Sequence, residues 1–372
     1  MQIDVIQLIV LVILFLYLLL ILKYWIGWIK NKATGVSHFL PKVSVIIALR
    51  NEEDQVIHLL SELKKQVYPI DKLEFILVND HSTDSTLELL ENSAIDNLRV
   101  VNMPNGIFGK KNAIAKAMKE AKGEIILASD ADCSFTALWV HTMVAYFANK
   151  NIKLVSGPVS CHKQKGIFLG LQTLEFISLI GSGAGAIGVK NAIFCNGANM
   201  AYRKADFLEL NNFENDEAVS GDDVFLLHSV KEKYKDAIAF AKDENAIVLT
   251  DAVQTAKGFI NQRKRWTAKT SGYKDFASIY ASFLVLFTNL SLVFLFVGYL
   301  YSDAYFHLFL LFYALKFAVD LLLLFPVLSF FKRKDLLKWI LPFELFYAFY
   351  IVLIVVLSFT KSFEWKGRIH KK

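Results

Sequence analysis

Two aspartates one residue apart, Asp130 and Asp132, stand at the end of a short apolar run that begins at Ile125 and reads IILASDADCS. An apolar run of this length predicts a buried strand, and ligands bind at the carboxyl ends of strands in an open α/β sheet. Closely spaced carboxylates need partners, and they suit Mg²⁺ or Mn²⁺ that carries a phosphate-bearing substrate. The alternative is a turn with two solvated aspartates, which are ordinary turn residues.

A third acid, Asp80, stands at the end of another predicted strand, Glu74–Val78. An acid at the end of a neighbouring strand is a natural acceptor for hydrogen bonds from a ribose or a base. The alternative is that the segment around Ser82 only caps the next helix. Glu52 follows the first predicted strand in the same way, and its alternative is a polar helix start, where acids are favoured.

A glycine-containing loop precedes a predicted helix that begins at Lys110, in the segment Gly106–Ala113, which reads GIFGKKNA. Helix N-termini and lysines both favour anionic groups such as a diphosphate. The segment lacks the full phosphate-loop spacing of nucleoside triphosphatases, so that class is excluded.

Two further acids, Asp222 and Asp223, start a predicted helix in the segment VSGDDVFLL. Acids at a helix start need no further explanation. As a catalytic pair, one of them could act as a general base whose pKa is tuned by its neighbour. Upstream, Cys195–Lys204 reads CNGANMAYRK, which is typical either of a tight backbone passage beside a ligand or of an ordinary turn.

A basic segment near the later apolar blocks, Gln262–Trp266, reads QRKRW. Its three consecutive cations can form a basic cluster at a membrane surface. In a binding site, Gln262 and Arg265 would instead face a diphosphate and Trp266 would face a sugar ring. Both interpretations are compatible with this stretch alone.

The composition indicates a membrane protein with one large soluble part. The 372 residues are 55% hydrophobic with a mean hydropathy of +0.40, too apolar for an ordinary soluble protein. The formal charge is +6, and the basic residues do not form patches interspersed with aromatic residues, which excludes nucleic-acid binding. This charge fits a protein that faces an anionic membrane surface and binds an anionic substrate. The three cysteines, at positions 133, 161 and 195, have neither metal spacing nor a disulfide framework, so the soluble part is expected to be reduced and cytoplasmic.

Four apolar runs frame the charged middle of the chain: Ile3–Leu22, Ser278–Leu300, Tyr305–Phe325 and Trp339–Ser358. Each is long enough to span a bilayer, and the first lacks a cleavage site, so we expect an anchor and not a signal peptide. The lysines and tryptophans after it place its C-terminal end in the cytoplasm. The predicted domains are an anchor at 1–24, a cytoplasmic domain at 41–274, about three membrane helices at 278–358 and a basic tail at 359–372.

Within residues 41–274, apolar runs of five to eight residues alternate with helical patterns. Strand–helix alternation of this kind predicts an α/β fold, with a mixed, mostly parallel sheet and helices on both of its faces. The carboxyl ends of parallel strands share one edge of a sheet, so this fold would gather the acids there.

The candidate residues follow one another in a specific order: Asp80, Asp130-x-Asp132, Asp222-Asp223 and Gln262-x-x-Arg265-Trp266. This order resembles the D, DxD, D, QxxRW series of membrane-bound family 2 glycosyltransferases. The segments PKVSVIIALRNEE and GANMAYRK resemble that family's first strand and acceptor-side loop. The resemblance covers about Pro41 to Trp266, together with the anchor and the tail. It implies a GT-A fold, with a Rossmann-like nucleotide half and an acceptor half, and inverting transfer of a sugar from a nucleoside diphosphate donor.

The resemblance also implies roles for individual residues on the donor side. Glu52 and Asp80 would contact the nucleoside, and Lys110 would lie near the diphosphate. Asp130 and Asp132 would hold the sugar-phosphate side and a divalent metal, Mg²⁺ or Mn²⁺. The donor would be a nucleoside diphosphate sugar, with a UDP-sugar as the first choice.

On the acceptor side, Asp223 would be the general base and Asp222 its neighbour. The motif reads Gly-Asp-Asp where the family has Glu-Asp, which leaves open which aspartate is the base. Gly197 and Asn199 would lie on the acceptor side. Three residues of the last motif would bind the diphosphate and the sugar end of the acceptor: Gln262, Arg265 and Trp266.

The apolar segment Gly166–Gly188 is predicted either to lie on the membrane surface and guide a lipid-linked acceptor or to form a core helix. Three full C-terminal spans would put the basic tail outside, against the positive-inside rule, so one apolar block could instead be re-entrant or interfacial.

The function expected from the sequence is metal-dependent transfer of a sugar to a hydroxyl of a lipid, lipid-linked or saccharide acceptor, at the cytoplasmic face of a bacterial inner membrane. One alternative is a processive polysaccharide synthase, although three C-terminal helices are few for a channel. Another is a non-catalytic membrane scaffold with the same fold, which the full set of acids disfavours. A transporter is disfavoured because the apolar runs carry few charges, namely Lys316, Asp320 and Glu344.

Overall fold

The computed structural model describes residues 4–35, 37–210, 222–270, 272–358, 362–365 and 368–371. The chain divides into two compact units, each assembled from separate stretches of sequence. The sheet unit comprises Asn31–His162 and Lys190–Ala252. The helical unit comprises Met1–Lys30, Lys163–Val189 and Val253–Lys372.

Helices and strands alternate through the first two thirds of the chain, and long helices follow. The helices are α1 (Val5–Lys30), α2 (Glu53–Lys64), α3 (Thr86–Glu91), α4 (Lys110–Glu120), α5 (Trp139–Ala145), α6 (Ile167–Gly188), α7 (Lys204–Leu210), α8 (Asp222–Lys233), α9 (Ala256–Thr270), α10 (Phe276–Tyr299), α11 (Asp303–Phe330) and α12 (Leu337–Ser358). The strands are β1 (Val43–Leu49), β2 (Leu73–Asn79), β3 (Leu98–Asn102), β4 (Ile125–Ser129), β5 (Ser134–Phe135), β6 (Leu154–Ser156), β7 (Val159–Cys161), β8 (Met200–Arg203), β9 (Ile238–Phe240), β10 (Val248–Thr250), β11 (Ser362–Trp365) and β12 (Arg368–Lys371).

The sheet unit is built on a seven-stranded sheet with the order β3-β2-β1-β4-β8-β6-β9. Strand β8 runs antiparallel to both β4 and β6, and the other neighbouring pairs are parallel. A smaller sheet has the order β5-β10-β7. The predicted fold class, a mixed and mostly parallel α/β sheet, is confirmed.

The central strands are almost continuous aliphatic runs, as expected for strands that are covered on both faces. Strand β1 reads VSVIIAL and strand β2 reads LEFILVN, and nearly every residue of both is buried. In the register, Ile46 lies between Ile76 of β2 and Ala128 of β4. These three strands therefore end at the same edge of the sheet, and the polar residues that follow them emerge together there.

The helical unit contains α1, α6 and α9 to α12. Five described helices are long and apolar enough to span a membrane: Val5–Lys30, Ile167–Gly188, Phe276–Tyr299, Tyr305–Phe330 and Lys334–Ser358. Four of them correspond to the apolar runs found in the sequence. The fifth is α6, whose sequence was compatible with a core helix or a surface helix, and it groups with the other long helices. The stretch 41–274 contributes residues to both units.

Helices α1 and α6 approach so closely that their backbones touch at glycines. A Cβ on Gly27 would lie 1.8 Å from the carbonyl oxygen of Gly185, and a Cβ on Gly188 would lie 2.0 Å from that of Gly27. A Cβ on Gly185 would lie 2.3 Å from the carbonyl oxygen of Tyr24. Small residues allow this type of contact between apolar helices, so α1 forms an integral part of the helical unit.

The three charges in the C-terminal apolar runs form one buried network. Lys316 Nζ lies 2.7 Å from Asp320 Oδ2 and also pairs with Glu344 of α12. The hydroxyl of Tyr17, on α1, donates a hydrogen bond of 2.7 Å to Asp320 Oδ1. This network joins α1, α11 and α12, since each charged group needs a partner in an apolar environment.

Candidate active site

Asp80 joins the end of strand β2 to the glycine loop before α4. Its side chain is 5% exposed, and its Oδ2 accepts a hydrogen bond of 2.9 Å from the amide of Gly109. Gly109 has a φ of 97°, a conformation that favours glycine. The guanidinium of Arg50 donates to the carbonyl oxygens of Asp80 and His81, at 2.9 and 3.2 Å. Asp80, the residue predicted to contact the nucleoside, therefore lies at a strand end that several hydrogen bonds hold in place.

Glu52 lies in the loop between β1 and α2, and this loop is tied to the one that follows β2. The amide of Glu52 donates a hydrogen bond of 2.8 Å to Oγ1 of Thr86. The amide of Thr83 donates one of 2.9 Å to Oδ1 of Asn51, a residue with a φ of 50°. Glu52 and Asp80, the two residues predicted to contact a nucleoside, thus belong to adjoining loops at one sheet edge.

Lys110 and Asp130 form an ion pair across this edge, although their predicted roles concerned different parts of the donor. Lys110 is the first residue of α4, and Asp130 follows strand β4 directly. The side chains are 25% and 40% exposed, so both can reach a ligand. Lysine at a helix start next to a carboxylate gives a site that can take either an anion or a cation.

Asp132 lies deeper than Asp130, and its Oδ2 accepts a hydrogen bond of 2.9 Å from the hydroxyl of Thr250. Burial raises the pKa of the Asp132 carboxyl above its ordinary value, and the negative charge of Asp130 raises it further. A carboxyl whose negative charge is disfavoured by burial and by a neighbouring acid fits a divalent cation, which would offset that cost.

If a metal binds here, the described residues would supply only part of its coordination sphere. Among the described residues, no group of three or more histidine, cysteine, aspartate and glutamate side chains is arranged to hold a metal ion. Mg²⁺ is usually bound through one or two carboxylates together with substrate phosphates and water. The donor set of Asp130 and Asp132 therefore fits a metal that arrives with a diphosphate.

Asp223 lies in the first turn of α8, opposite Gly197. Its Oδ2 accepts a hydrogen bond of 3.1 Å from the amide of Gly197, and its Oδ1 accepts one of 2.9 Å from the amide of Val224. A Cβ on Gly197 would lie 3.4 Å from Cβ of Asp223 and 3.5 Å from Nζ of Lys110. Gly197 thus lies between the candidate base and the Lys110–Asp130 pair. The side chain of Asp222 lies outside the described part of the structure.

Asn199, predicted on the acceptor side, is fully buried, and both ends of its amide are occupied by protein groups. Its Oδ1 accepts a hydrogen bond of 2.9 Å from the indole of Trp139. Its Nδ2 donates to the carbonyl oxygens of Pro158 and Ala246, at 2.9 and 2.7 Å. The geometry favours a structural role, in which Asn199 fixes the backbone that carries Gly197.

The three residues of the last motif lie on α9, in the helical unit, whereas the residues described above belong to the sheet unit. Gln262, Arg265 and Trp266 are each partly exposed. Gln262 accepts a hydrogen bond from Arg263, and Arg263 also lies over the ring of Trp266 at 4.3 Å.

Sequence reasoning missed two polar residues that contact or support the candidate residues. Thr250 binds Asp132, but a threonine 118 positions away gives no local signal. Arg263 has no role predicted from the sequence other than the alternative of a basic cluster at a membrane surface, yet it is 4% exposed and pairs with Glu175. Glu175 did carry a signal, because a lone acid in an apolar helix requires a buried partner.

Comparison with known proteins connects this geometry to a family. Residues 44–210 match the family model "Glycosyl transferase family 2". The probable glycosyltransferase YdaM of Bacillus subtilis is 34% identical over 114 residues, which cover 30% of this chain and 27% of the relative. The poly-beta-1,6-N-acetyl-D-glucosamine synthase of Staphylococcus epidermidis is 28% identical over 233 residues, which cover 60% of this chain and 53% of the relative. The matched segments thus span about a quarter of the length of the first relative and about half of the length of the second.

A solved structure shares the fold over almost the whole chain. The mannosyltransferase PcManGT from Pyrobaculum calidifontis, in complex with GDP-Man and Mn²⁺, superposes with a TM-score of 0.59 at 19% identity. The match covers 96% of this chain and 99% of that one. Residues 44–210 therefore resemble a family 2 glycosyltransferase domain, and the chain shares the fold of the solved mannosyltransferase.

Proposed function

We propose that this protein is a glycosyltransferase that transfers a sugar, with inversion, from a nucleoside diphosphate donor to a hydroxyl of a lipid, lipid-linked or saccharide acceptor. The transfer would take place at the cytoplasmic face of a membrane. The observation that supports it most strongly is the position of Gly197, which lies between the Asp223 carboxylate and the Lys110–Asp130 pair. A proton acceptor thus faces an anion-binding lysine and a metal-binding carboxylate across a single glycine.

On the donor side, Asp80 and Glu52 bind the nucleoside from their adjoining loops. Lys110 neutralises negative charge on the diphosphate, since a lysine at a helix N-terminus favours anions. In the absence of donor its partner is Asp130. The ion pair therefore keeps the lysine close to the position that the diphosphate would occupy.

Asp130 and Asp132 are the residues that would hold Mg²⁺ or Mn²⁺, and the carboxylate chemistry described above fits such an ion. When bound, the metal would stabilise the charge that develops on the leaving diphosphate. The solved mannosyltransferase with a similar fold contains Mn²⁺ together with GDP-Man, which supports a metal in this chain as well.

Asp223 is the proposed general base that removes the proton from the attacking hydroxyl. Its two oxygens accept hydrogen bonds from backbone amides, which hold the carboxylate in place. A single displacement requires no covalent nucleophile. The described cysteines are consistent with this, because all three are buried thiols.

On the acceptor side, Gln262, Arg265 and Trp266 contact the diphosphate and the sugar end of the acceptor. Helix α6 and the other long apolar helices would seat the protein in the membrane, where a lipid-bearing acceptor would be found. A bacterial cell membrane is the proposed location, which agrees with the bacterial origin of the relatives named above.

A second candidate function, processive polysaccharide synthesis, is favoured by one relative and one structural feature. The relative that covers 60% of this chain is named a poly-beta-1,6-N-acetyl-D-glucosamine synthase. The structural feature is α6, which raises the number of long apolar helices to five. We retain single transfer as the main proposal and use product length to distinguish the two.

The test is a donor screen on the full-length protein in detergent, with Mg²⁺ or Mn²⁺, read by the nucleoside diphosphate released. UDP-sugars are the proposed donors, and GDP-mannose is included because of the mannosyltransferase fold match. Release with one donor class, dependent on acceptor and metal, is the expected result. No release with any common donor would contradict the proposed activity. A polymeric product would favour the synthase over single transfer.

A further inference from the structure

A buried ion pair joins the helix of the Gln-Arg-Trp motif to two membrane-type helices. Arg263, on α9, binds Glu175, on α6, through Nε and Nη2, which lie 3.0 and 2.7 Å from Oε2. Both side chains are 5% exposed. The hydroxyl of Tyr350, on α12, donates a hydrogen bond of 2.8 Å to Oε1 of the same glutamate. Glu175 is therefore held from two sides, and it in turn fixes the guanidinium.

The guanidinium of Arg263 also contacts two residues of the motif. Its Nη1 donates a hydrogen bond to Oε1 of Gln262. Its central carbon lies 4.3 Å from the ring centroid of Trp266 and 4.4 Å from that of Phe259. One side chain thus contacts both the amide and the indole that are proposed to contact substrate.

The chemistry of these contacts requires an arginine. A planar guanidinium can bind a carboxylate with two nitrogens, donate to an amide with a third and stack on an indole. A lysine is a point charge on a flexible stem, and it cannot do all of these together. Apolar side chains of similar volume could hold the three helices together as well as a buried ion pair does. They could neither bind the Gln262 amide nor offer Trp266 a cationic face.

We infer that Arg263, braced by Glu175 and Tyr350, is a positioning residue for Gln262 and Trp266, so that helices α6 and α12 set the geometry of the motif. The inference rests on the proposed function where it concerns turnover. It assigns Arg263 no contact with substrate. It also gives α12 a role in catalysis, although this helix contributes no residue to the motif.

The first test measures the position of Trp266 without any activity. Near-ultraviolet circular dichroism spectra are recorded for full-length protein in detergent. Each variant is compared with the same variant that also carries Trp266→Phe. The difference between the two spectra is the signal of the Trp266 indole. We expect Arg263→Lys to lose most of that signal. The matched control is Arg333→Lys, because Arg333 is also buried and its Nε pairs with Asp335 at 3.1 Å. An unchanged Trp266 signal in Arg263→Lys would overturn the inference.

The second test uses turnover. Arg263→Lys is expected to lower kcat/KM by about tenfold to a hundredfold, as small misplacements of binding groups do, while its thermal midpoint matches that of Arg333→Lys. Tyr350→Phe should have a smaller effect in the same direction. Its control is Tyr313→Phe, since the Tyr313 hydroxyl also binds across helices, to the carbonyl oxygen of Leu341.

A double-mutant cycle separates positioning from general stability. If Arg263 acts through Gln262, the fold-loss caused by Arg263→Lys must shrink in a Gln262→Ala background, because coupled residues are non-additive. Equal fold-losses in both backgrounds would contradict the inference. If the wild type has no turnover with any donor, the proposed function fails, and the spectroscopic test still decides the positioning role.

Discussion

The amide of Gly197 donates a hydrogen bond of 3.1 Å to Oδ2 of Asp223, and this contact fixes the candidate base. The missing Cβ of Gly197 would make ordinary van der Waals contacts, at 3.4 Å to Asp223 and 3.5 Å to Lys110. There is therefore room for a methyl group at this position. A longer side chain would occupy the space between the base and the lysine, which the donor and the acceptor are proposed to share.

Replacing Gly197 with leucine should consequently abolish transfer while leaving the fold intact. Gly197→Ala is the matched control and should retain most of the activity. Initial rates and thermal midpoints of both variants check the prediction. A fully active Gly197→Leu would show that neither substrate passes between Asp223 and Lys110.

Replacing Asp223 with asparagine should remove the proton acceptor with little change in side-chain size, at the cost of one of its two hydrogen bonds from backbone amides. We expect kcat to fall by about 10²- to 10⁴-fold, the usual contribution of a general base. The affinity for free nucleoside diphosphate, measured by calorimetry, should change little. The same measurement on Asp222→Asn serves as the control. A larger loss of kcat in Asp222→Asn than in Asp223→Asn would transfer the role of base to Asp222.

Replacing Lys110 with methionine should weaken nucleoside diphosphate binding, because it removes the cation at the start of α4. The stability of the protein should hardly change, since a partly exposed ion pair contributes about 0–1 kcal/mol. Its partner Asp130 is 40% exposed and can be solvated instead. Lys111→Met provides a control at the neighbouring position. Unchanged affinity in Lys110→Met, or equal losses in both variants, would contradict the diphosphate contact.

Replacing Lys316 with methionine should strongly destabilise the helical unit. It would leave Asp320 and Glu344 buried without their cation, and removing one partner of a buried pair costs about 3–5 kcal/mol. The half-life of folded protein in detergent measures this effect. The exposed Lys338→Met is the control. Neutralising both carboxyls in a Lys316→Met background should restore part of the lost stability, and a further loss would refute the charge argument.

The sheet could be predicted from sequence because its information is local. The aliphatic runs of β1 and β4 have the length of buried parallel strands and end at polar residues. Asp80 and Asp130 follow β2 and β4 as predicted. Motif order then indicated the family, and residues 44–210 match that family's model. The roles of the individual site residues stay predictions.

The partners of buried groups could not be predicted, since they come from distant parts of the chain. Glu175 and Arg263 are 88 positions apart. The lone acid in an apolar helix indicates that a buried partner exists, but nothing near it in the sequence identifies Arg263 as that partner. Asn199 stands in a motif-like segment, yet it packs under Trp139. Helix α6 was ambiguous for a related reason: a glycine-rich apolar helix has the same composition in a protein core, at a membrane surface or within a membrane.

The contact between α1 and α6 has a practical consequence for engineering this protein. With backbone atoms as close as the glycines at 27, 185 and 188 require, the first helix cannot be exchanged for an unrelated membrane anchor. A heterologous helix with ordinary side chains would be held off from α6. A truncated protein that begins at residue 31 would expose the surface of α6 around Gly185 and Gly188 to detergent or lipid. Helix α1 is therefore a packed part of the helical unit and not a replaceable membrane anchor.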